Sequence, residues 1–79
     1  MTQDPEYFTE GDRVEYYPVG AAMQTSVGTI ERIITAKETI GHQIINASES
    51  TPFFLIKNEH TSKSTAYKME NLIGHAAES

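Results

Sequence analysis

The stretch from Asn46 to Gly74, NASESTPFFLIKNEHTSKSTAYKMENLIG, decides the fold of this chain. A polar turn leads into Pro52, and the apolar run that follows predicts a β-strand from Phe53 to Lys57. NEHTSKS predicts a hairpin turn, and the residues from Thr65 to Lys68 predict the returning strand. MENLIG predicts one helical or 3-10 turn, ended by Gly74. The stretch therefore predicts the second half of a small all-β domain.

Segments upstream supply the remaining strands. RVEY, at positions 13–16, alternates polar and apolar side chains, which is typical of a half-buried strand, and Pro18 ends it. A second strand is predicted over about 26–35, where β-branched residues are dense. Ile30 and Ile33 are three apart and break the alternation, so we expect a β-bulge between them. IGHQII, at 40–45, predicts a short strand.

Length and composition limit the protein to one small domain. The chain has 79 residues, no cysteine and a net charge of −5. A chain this short has a thin core and little room for an internal active site, and without cysteine it has no disulfide or thiolate metal site. We divide it into a partly ordered lead-in at 1–10, a barrel domain at 11–74 and a frayed tail at 75–79. Tyr7 or Phe8 is expected to cover one end of the barrel.

Nothing in the sequence predicts a membrane or secretory protein. The N-terminus lacks the basic and apolar regions of a signal peptide. The longest apolar run, Phe53 to Ile56, is far shorter than a membrane span. Small secreted domains usually carry disulfides. We therefore expect an intracellular protein, cytoplasmic or nuclear, that does not bind membranes.

Three motifs together resemble a known family. GDRVEY (11–16), VGTIERI (27–33) and NAS…PFFLIK (46–57), followed by Lys68 and Leu72, are similar to the Tudor-like domain of fungal and bacterial hypervirulence-associated proteins. That family's pattern runs G-D-x-V-x-W, then G-T-I, then A-S-x-x-x-P-x-Y-x-I-K. Tyr16 stands here in place of the Trp, and Phe54 in place of the Tyr. The resemblance extends over about residues 11–73.

The resemblance implies a fold, but it does not imply an enzyme or a particular ligand. The implied fold is a small five-stranded, SH3-type Tudor-like barrel, all-β, with a short C-terminal helical turn. The family pattern places Phe54 and Ile56 inside and leaves Phe53 and Leu55 outside or at a strand end, a choice that periodicity alone leaves open. The predicted core is Val14, Tyr16, Val27 or Thr29, Ile30, Ile33, Phe54, Ile56, Tyr67 or Ala66, and Leu72.

An aromatic cluster is the first candidate site. Tyr17, Phe53 and Tyr67 are expected near barrel ends or outward faces, where Tudor-type barrels often hold a methylated lysine or arginine by cation–π contact. Glu15 or Glu31 would supply the acidic group of such a cage. The alternative is that the three rings simply cap a small core.

A basic groove is the second candidate site. Its expected members lie on neighbouring strands and on a hairpin: Arg32, Lys57, Lys63 and Lys68. Such a groove would clamp the phosphate of a nucleotide or of an NADPH-type dinucleotide, or a nucleic acid backbone. The alternative is ordinary solvated lysines, and the acidic net charge disfavours nucleic acid.

Metal binding and catalysis have little support in the sequence. His42, His60 and His75 are not spaced as metal ligands, and no serine lies in a nucleophile-elbow context. We therefore expect a non-enzymatic binding or regulatory module without a metal or a required cofactor. Its expected partner is a protein or peptide, recognised through exposed aromatics and a strand edge, with a link to fungal metabolism and virulence. A nucleotide or small-metabolite sensor is the alternative, and nucleic-acid binding ranks third.

Overall fold

A computed structural model describes residues 8–18 and 24–76, and these residues form strands with a single 3-10 turn. Five antiparallel strands make the main sheet in the order β6-β5-β2-β1-β7, and β3 pairs only with β4. The strands are β1 Arg13–Tyr16, β2 Ser26–Ile34, β3 Glu38–Ile40, β4 Gln43–Ile45, β5 Phe53–Asn58, β6 Ser64–Lys68 and β7 Leu72–His75, with the 3-10 turn at Met69–Asn71. The all-β class and the five-stranded sheet are confirmed.

The main sheet is not closed into a barrel. Within the described residues β6 and β7 are its two edges, joined through the 3-10 turn rather than by a ladder. The short helical turn is confirmed, but its predicted extension to Gly74 is wrong. Leu72 instead begins a strand that pairs with Tyr16, and the ladder with β1 carries this strand through His75, which was predicted in the tail.

The segment at 40–45 forms one side of a hairpin instead of a single strand. Residues from Glu38 to Ile40 pair with those from Gln43 to Ile45 across a turn at Gly41 and His42. Gly41 adopts φ +61, a conformation that glycine takes at little cost and that tight hairpin turns require. The prediction of one strand here was wrong because this turn interrupts it.

The predicted bulge in β2 is confirmed. The pairing of β2 with β5 shifts register between Ile30 and Arg32. Beyond the shift Ile33 pairs with Phe54, and Ile34 pairs with Phe53. Ile30 and Ile33 therefore face the main core, while Ile34 faces the opposite side of the sheet.

The main core lies on one side of the sheet and contains most of the predicted residues. Its buried members are Phe8, Val14, Tyr16, Ile30, Phe54, Ile56, Tyr67 and Leu72. Phe8 has no exposed surface and is part of this core, which agrees with the expectation that Tyr7 or Phe8 covers it. Val27 and Thr29, either of which was predicted in the core, are only half-buried.

A second apolar cluster covers the other side of the sheet. Ile34, Ile45, Ala47 and Ala66 are buried there, and Ile40, Phe53 and Leu55 pack against them. Phe53 and Leu55 are therefore half-buried rather than outside, because the β3–β4 hairpin and the residues after it lie over them. Because the sheet is covered on both faces, β5 is a continuous apolar run. Periodicity alone therefore could not show which of its residues face the main core.

Some predictions fall outside the described residues. These are the placement of Tyr7 and, within the predicted tail, the residues at 77–79. The division of the chain at residues 11 and 74 stays a prediction.

Candidate functional site

The three aromatic candidates do not meet on one surface. Tyr17, just after β1, is 46% exposed, whereas Tyr67 is 7% exposed and lies in the main core. The Tyr67 ring packs against Tyr16 with centroids 5.0 Å apart. Phe53 is half-buried in the cluster on the opposite face of the sheet. A cage built from these three rings is therefore not formed.

The basic candidates do not converge on one pocket either. Both guanidinium Nη atoms of Arg32 bond to Glu38, with Nη1 3.0 Å from Oε1, and this pairing raises the pKa of Arg32 and lowers that of Glu38. Lys68 Nζ lies 6.0 Å from the centroid of the Phe53 ring. Lys57 is exposed near the other end of β5, and Lys63 is exposed in the β5–β6 turn.

An open cavity lies at the end of the sheet where β2 begins and β5 ends. Its volume is about 240 Å³, and its lining comprises Thr25, Ser26, Val27, Asn58, Glu59 and His60. Strand pairing brings the two segments together, because Gly28 pairs with Asn58. The N–H of Glu59 then donates to the carbonyl oxygen of Val27 at 3.1 Å, which extends the contact beyond the ladder.

Asn58 shapes the wall of this cavity. Its Nδ2 donates to the Tyr16 hydroxyl at 2.9 Å, and its Oδ1 accepts the N–H groups of His60 and Thr61 at 2.8 and 3.1 Å. An asparagine that bonds the backbone two and three residues ahead fixes a turn. Burial raises the pKa of Tyr16, so its hydroxyl keeps its proton at neutral pH. The core and the β5–β6 turn are thereby joined at one side chain.

Two carboxylates lie beside the cavity in different environments. Glu59 is held by Arg13, with Nη2–Oε1 at 2.9 Å and Nε–Oε2 at 3.0 Å, and this pairing lowers the pKa of Glu59. Glu15 pairs with Val27 across the strands and accepts a hydrogen bond from Thr25 Oγ1 at 2.7 Å. Among the described residues no basic group lies within ion-pair distance of Glu15.

An exposed aromatic residue lies next to the cavity lining in the strand register. Tyr16 and Ser26 are the last pair of the β1–β2 ladder, and Tyr17 and Thr25 are the next residues on the two chains. Tyr17 is tied at this position because its N–H donates to the carbonyl of Asn71 at 2.9 Å. Tyr17, which is exposed, and Glu15 therefore both lie next to Thr25, a residue of the cavity lining.

The lining itself has polar groups that are available to a ligand. The Ser26 hydroxyl and the His60 imidazole make no hydrogen bond within the described residues, and neither bonds to the other. A serine with no base in contact is not an activated nucleophile. In the described parts of the chain, no three side chains of the types that bind metals come together. The arrangement is suited to binding.

Sequence reasoning missed this cavity. None of its six lining residues was a predicted site residue, although Asn58 followed by polar turn residues marks the end of a strand. The positions 25–27 and 58–60 meet only through the β2–β5 register, which shifts at a bulge.

No helix in the described residues combines the length and the hydropathy that crossing a membrane requires.

Comparison with known proteins agrees with the fold. The family model described as the TUDOR domain of hypervirulence associated proteins matches residues 11–72. A protein of Schizosaccharomyces pombe (strain 972), "Putative primary metabolism protein prl65", is 31% identical over 67 residues, covering 82% of this chain and 88% of that protein. No solved structure shows significant similarity to the chain.

Proposed function

Because this chain belongs to the TUDOR domain family of hypervirulence associated proteins, we propose that it is a non-catalytic binding module for a protein or peptide partner. The observation that carries the proposal is the cavity at the start of β2, flanked by Tyr17 and Glu15. In this proposal a basic side chain of the partner enters the cavity, and the partner's backbone lies across the rim.

The chemistry of the rim favours a cationic side chain. Glu15 carries a negative charge that no described basic residue compensates, so a lysine or arginine of a partner supplies the missing charge. The Tyr17 ring is exposed, and an exposed cation–π contact contributes about 0.5–1 kcal/mol. A cation placed between the ring and the carboxylate interacts with both.

The size of the cavity favours one side chain over a whole cofactor. Small-molecule sites usually enclose about 300–1,000 Å³, whereas this cavity has about 240 Å³. Lys57 and Lys63 lie beside it, since Lys57 precedes Asn58 and the Lys63 carbonyl accepts the Asn58 N–H at 2.9 Å. We assign these two lysines to the rim, where they meet backbone carbonyls or acidic groups of the partner.

The remaining candidates are assigned no role in this site. Arg32, Phe53 and Lys68 lie toward the opposite end of β5, and Tyr67 is buried. These groups do not converge on one site of the size that a dinucleotide would need. The name of the fission-yeast relative refers to primary metabolism. Metabolic enzymes are therefore the first partners to test.

Fluorescence anisotropy with labelled peptides tests the proposal. The set carries lysine, trimethyllysine or the neutral isostere norleucine at one central position. The account predicts that lysine or trimethyllysine peptides bind more tightly than norleucine peptides, and that Glu15→Gln and Tyr17→Ala each reduce this preference. Glu49→Gln, in the exposed loop before β5, is the control with the same loss of charge. Equal binding of the charged and neutral peptides would exclude recognition of a basic side chain.

A further inference from the structure

The outer side of the main sheet, opposite the main core, is covered over only part of its width. The second apolar cluster draws its residues from the strands β2 to β6 and from Ala47, and none of its described members belongs to β1 or β7. Glu15 lies on this outer side, because its neighbours Val14 and Tyr16 are both buried in the main core. Within the described residues, the outer side of β1 and β7 is therefore left open to a partner.

Two exposed apolar residues lie at this open part of the sheet. The large hydrophobic residues that stand out as exposed in the described chain are Tyr17, Ile44 and Ile73. Tyr17 and Ile73 are close to each other, because the Tyr17 N–H donates to the carbonyl oxygen of Asn71, two residues before Ile73, at 2.9 Å. Ile44 lies elsewhere, in the β3–β4 hairpin. Two of the three exposed apolar residues are thus grouped.

Ile73 is exposed because the pairing of β1 with β7 shifts register. Leu72 pairs with Tyr16 and Gly74 pairs with Glu15, so β7 has one residue more than β1 between these two pairs, and Ile73 is that residue. Leu72 is buried in the main core, whereas Ile73 is 39% exposed. A β-bulge commonly redirects a side chain in this way. Here the bulge places an exposed isoleucine next to the residue that stands opposite Glu15.

Gly74 leaves Glu15 accessible from the side of β7. A Cβ added at Gly74 would meet no atom within 4 Å. On its other side Glu15 pairs with Val27, a residue of the cavity lining. Glu15 therefore lies between the cavity and Ile73. We call Glu15, Tyr17, Ile73 and Gly74 the β1–β7 patch.

The β1–β7 patch combines a negative charge with apolar surface. Glu15 Oε2 accepts a hydrogen bond from Thr25 Oγ1 at 2.7 Å, and no basic residue in the described part of the chain forms an ion pair with Glu15. Exposed apolar side chains that are grouped and bordered by polar residues mark interaction sites, whereas single ones are ordinary. A partner that brings only a cation leaves Ile73 in water. A partner that brings a cation and an apolar side chain covers both.

We propose that the β1–β7 patch recognises a second residue of the partner, an apolar side chain two positions away from the basic one. Adjacent strands are about 4.8 Å apart, and side chains two residues apart in an extended segment lie on the same side, about 6.6 Å from each other. A segment that crosses from β7 toward β2 thus places its lysine at Glu15 and a leucine-sized side chain on Ile73. The proposal rests on the function proposed above and adds the sequence pattern of the partner.

Other occupants fit this patch less well. In a symmetric contact a second copy of the chain would bring its own Glu15 to the same place, and each copy carries a net charge of −5. The phosphates of a nucleic acid would likewise meet the Glu15 carboxylate. A carboxylate beside two exposed apolar residues therefore favours a basic and partly apolar protein segment.

Two labelled nonapeptides of identical composition test the proposal. Both carry lysine at position 5, two leucines and otherwise serine; the leucines are at positions 3 and 7 in one peptide and at 4 and 6 in the other. In an extended chain the first arrangement puts the leucines on the same side as the lysine, and the second puts them on the opposite side. Fluorescence anisotropy is expected to show roughly fivefold tighter binding of the first peptide, as partial burial of one leucine gives.

Variants of the protein locate the source of this preference. Ile73→Ser is expected to remove it, and the milder Ile73→Ala to reduce it. Ile44→Ser is the matched control, because Ile44 is also an exposed isoleucine on a strand but lies in the β3–β4 hairpin. Glu15→Gln should weaken the binding of both peptides and leave their ratio unchanged. Thermal melts of each variant show whether it is folded.

The outcomes separate this inference from the function proposed above. A preference for leucines at positions 3 and 7 that is lost with Ile73→Ser and kept with Ile44→Ser would support the β1–β7 patch. Equal binding of the two peptides, or equal loss with both serine variants, would overturn it, even where lysine is still preferred to norleucine. If norleucine at position 5 binds as well as lysine, the proposed function fails and this inference fails with it. Absence of binding of either peptide at millimolar concentration would also overturn both.

Discussion

The ring of Phe8 packs edge-on against Phe54, with centroids 5.9 Å apart and planes inclined at 76°. Phe8 is fully buried, and its ring also lies 5.2 Å from that of His75. Both Phe8 and His75 lie outside the residues 11–72 that match the family model. Phe8 therefore completes the core from outside the matched residues, and the exposed His75 packs against its ring.

Removing the Phe8 ring is expected to destabilise the protein severely. Truncation of a buried phenylalanine to alanine costs about 3–5 kcal/mol, and Phe8→Ala leaves a cavity between Phe54 and His75. Urea denaturation followed by circular dichroism measures the change. Thr9→Ala, one residue further on at an exposed position, shows what loss of a surface contact costs. A Phe8→Ala variant within about 0.5 kcal/mol of the native protein would be inconsistent with a packed Phe8.

A methyl group at Gly28 is expected to force β2 and β5 apart. A Cβ at this position would lie 2.5 Å from the Lys57 carbonyl oxygen and 2.6 Å from Ile56 Cγ2. Because one of these atoms is backbone, Gly28→Ala should cost about 1–3 kcal/mol, as overpacking does. Gly74→Ala is the control, since a Cβ there meets nothing within 4 Å. Thermal melts that rank the two variants equally would contradict the close strand approach.

Two adjacent isoleucines in β4 should respond very differently to truncation. Ile45 is 1% exposed and packs in the second apolar cluster, whereas Ile44 is 61% exposed. Ile45→Ala should cost about 2–5 kcal/mol, and Ile44→Ala should stay within about 0.5 kcal/mol. Chemical denaturation of the pair measures how firmly the hairpin is attached. Similar values for both would mean that the hairpin does not pack on the sheet in solution.

The stability of the protein should depend on pH through Asp12. Its carboxylate accepts the Thr9 N–H at 2.9 Å and the Thr9 hydroxyl at 3.0 Å, and His75 Nε2 lies 2.9 Å away. The Thr9 backbone bond, followed by the His75 contact, lowers the pKa of Asp12 below its ordinary value of 3.8. The folded state therefore favours the ionised form, and this stabilisation is complete above the ordinary pKa and is lost as pH falls through the lowered one.

Asp12→Asn separates this contribution from those of other carboxylates. The difference in free energy of unfolding between native protein and Asp12→Asn should be constant from about pH 5 upward through the weakly acidic range and shrink below pH 3.8. Glu10→Gln, at an exposed position without a hydrogen bond in the described residues, is the control for the loss of one carboxylate in the same segment. A difference that grows on acidification would have the wrong sign for a carboxylate stabilised in its charged form.

Local sequence pattern was sufficient for the first half of the sheet. The three-residue spacing of Ile30 and Ile33 predicted the bulge, because the side-chain period of a strand is fixed. The local pattern was not sufficient for β7, because its short apolar sequence LIG also fits a helical turn. Only the pairing of Leu72 with Tyr16 identifies this segment as a strand. The burial of Phe53 likewise follows from the hairpin over the sheet, a contact between residues distant in sequence.

The candidate site was less predictable than the fold. Tyr17 and Glu15 were predicted as members of a binding site, but the cavity next to them was not predicted. This cavity lies between residues 25–27 and 58–60 and depends on the register of β2 against β5. Tyr67 was placed both in the core and in a site, and alternation along β6 puts it in the core.

Chemical-shift mapping with a lysine-containing peptide tests the central claim most directly. In an amide-detected titration of the labelled protein, the account predicts the largest shifts at Tyr17 and at the cavity lining, Thr25, Ser26, Val27, Asn58, Glu59 and His60. The norleucine peptide should produce smaller shifts at the same positions. Shifts confined to the far end of β5, or spread evenly over the surface, would contradict a binding site at the start of β2.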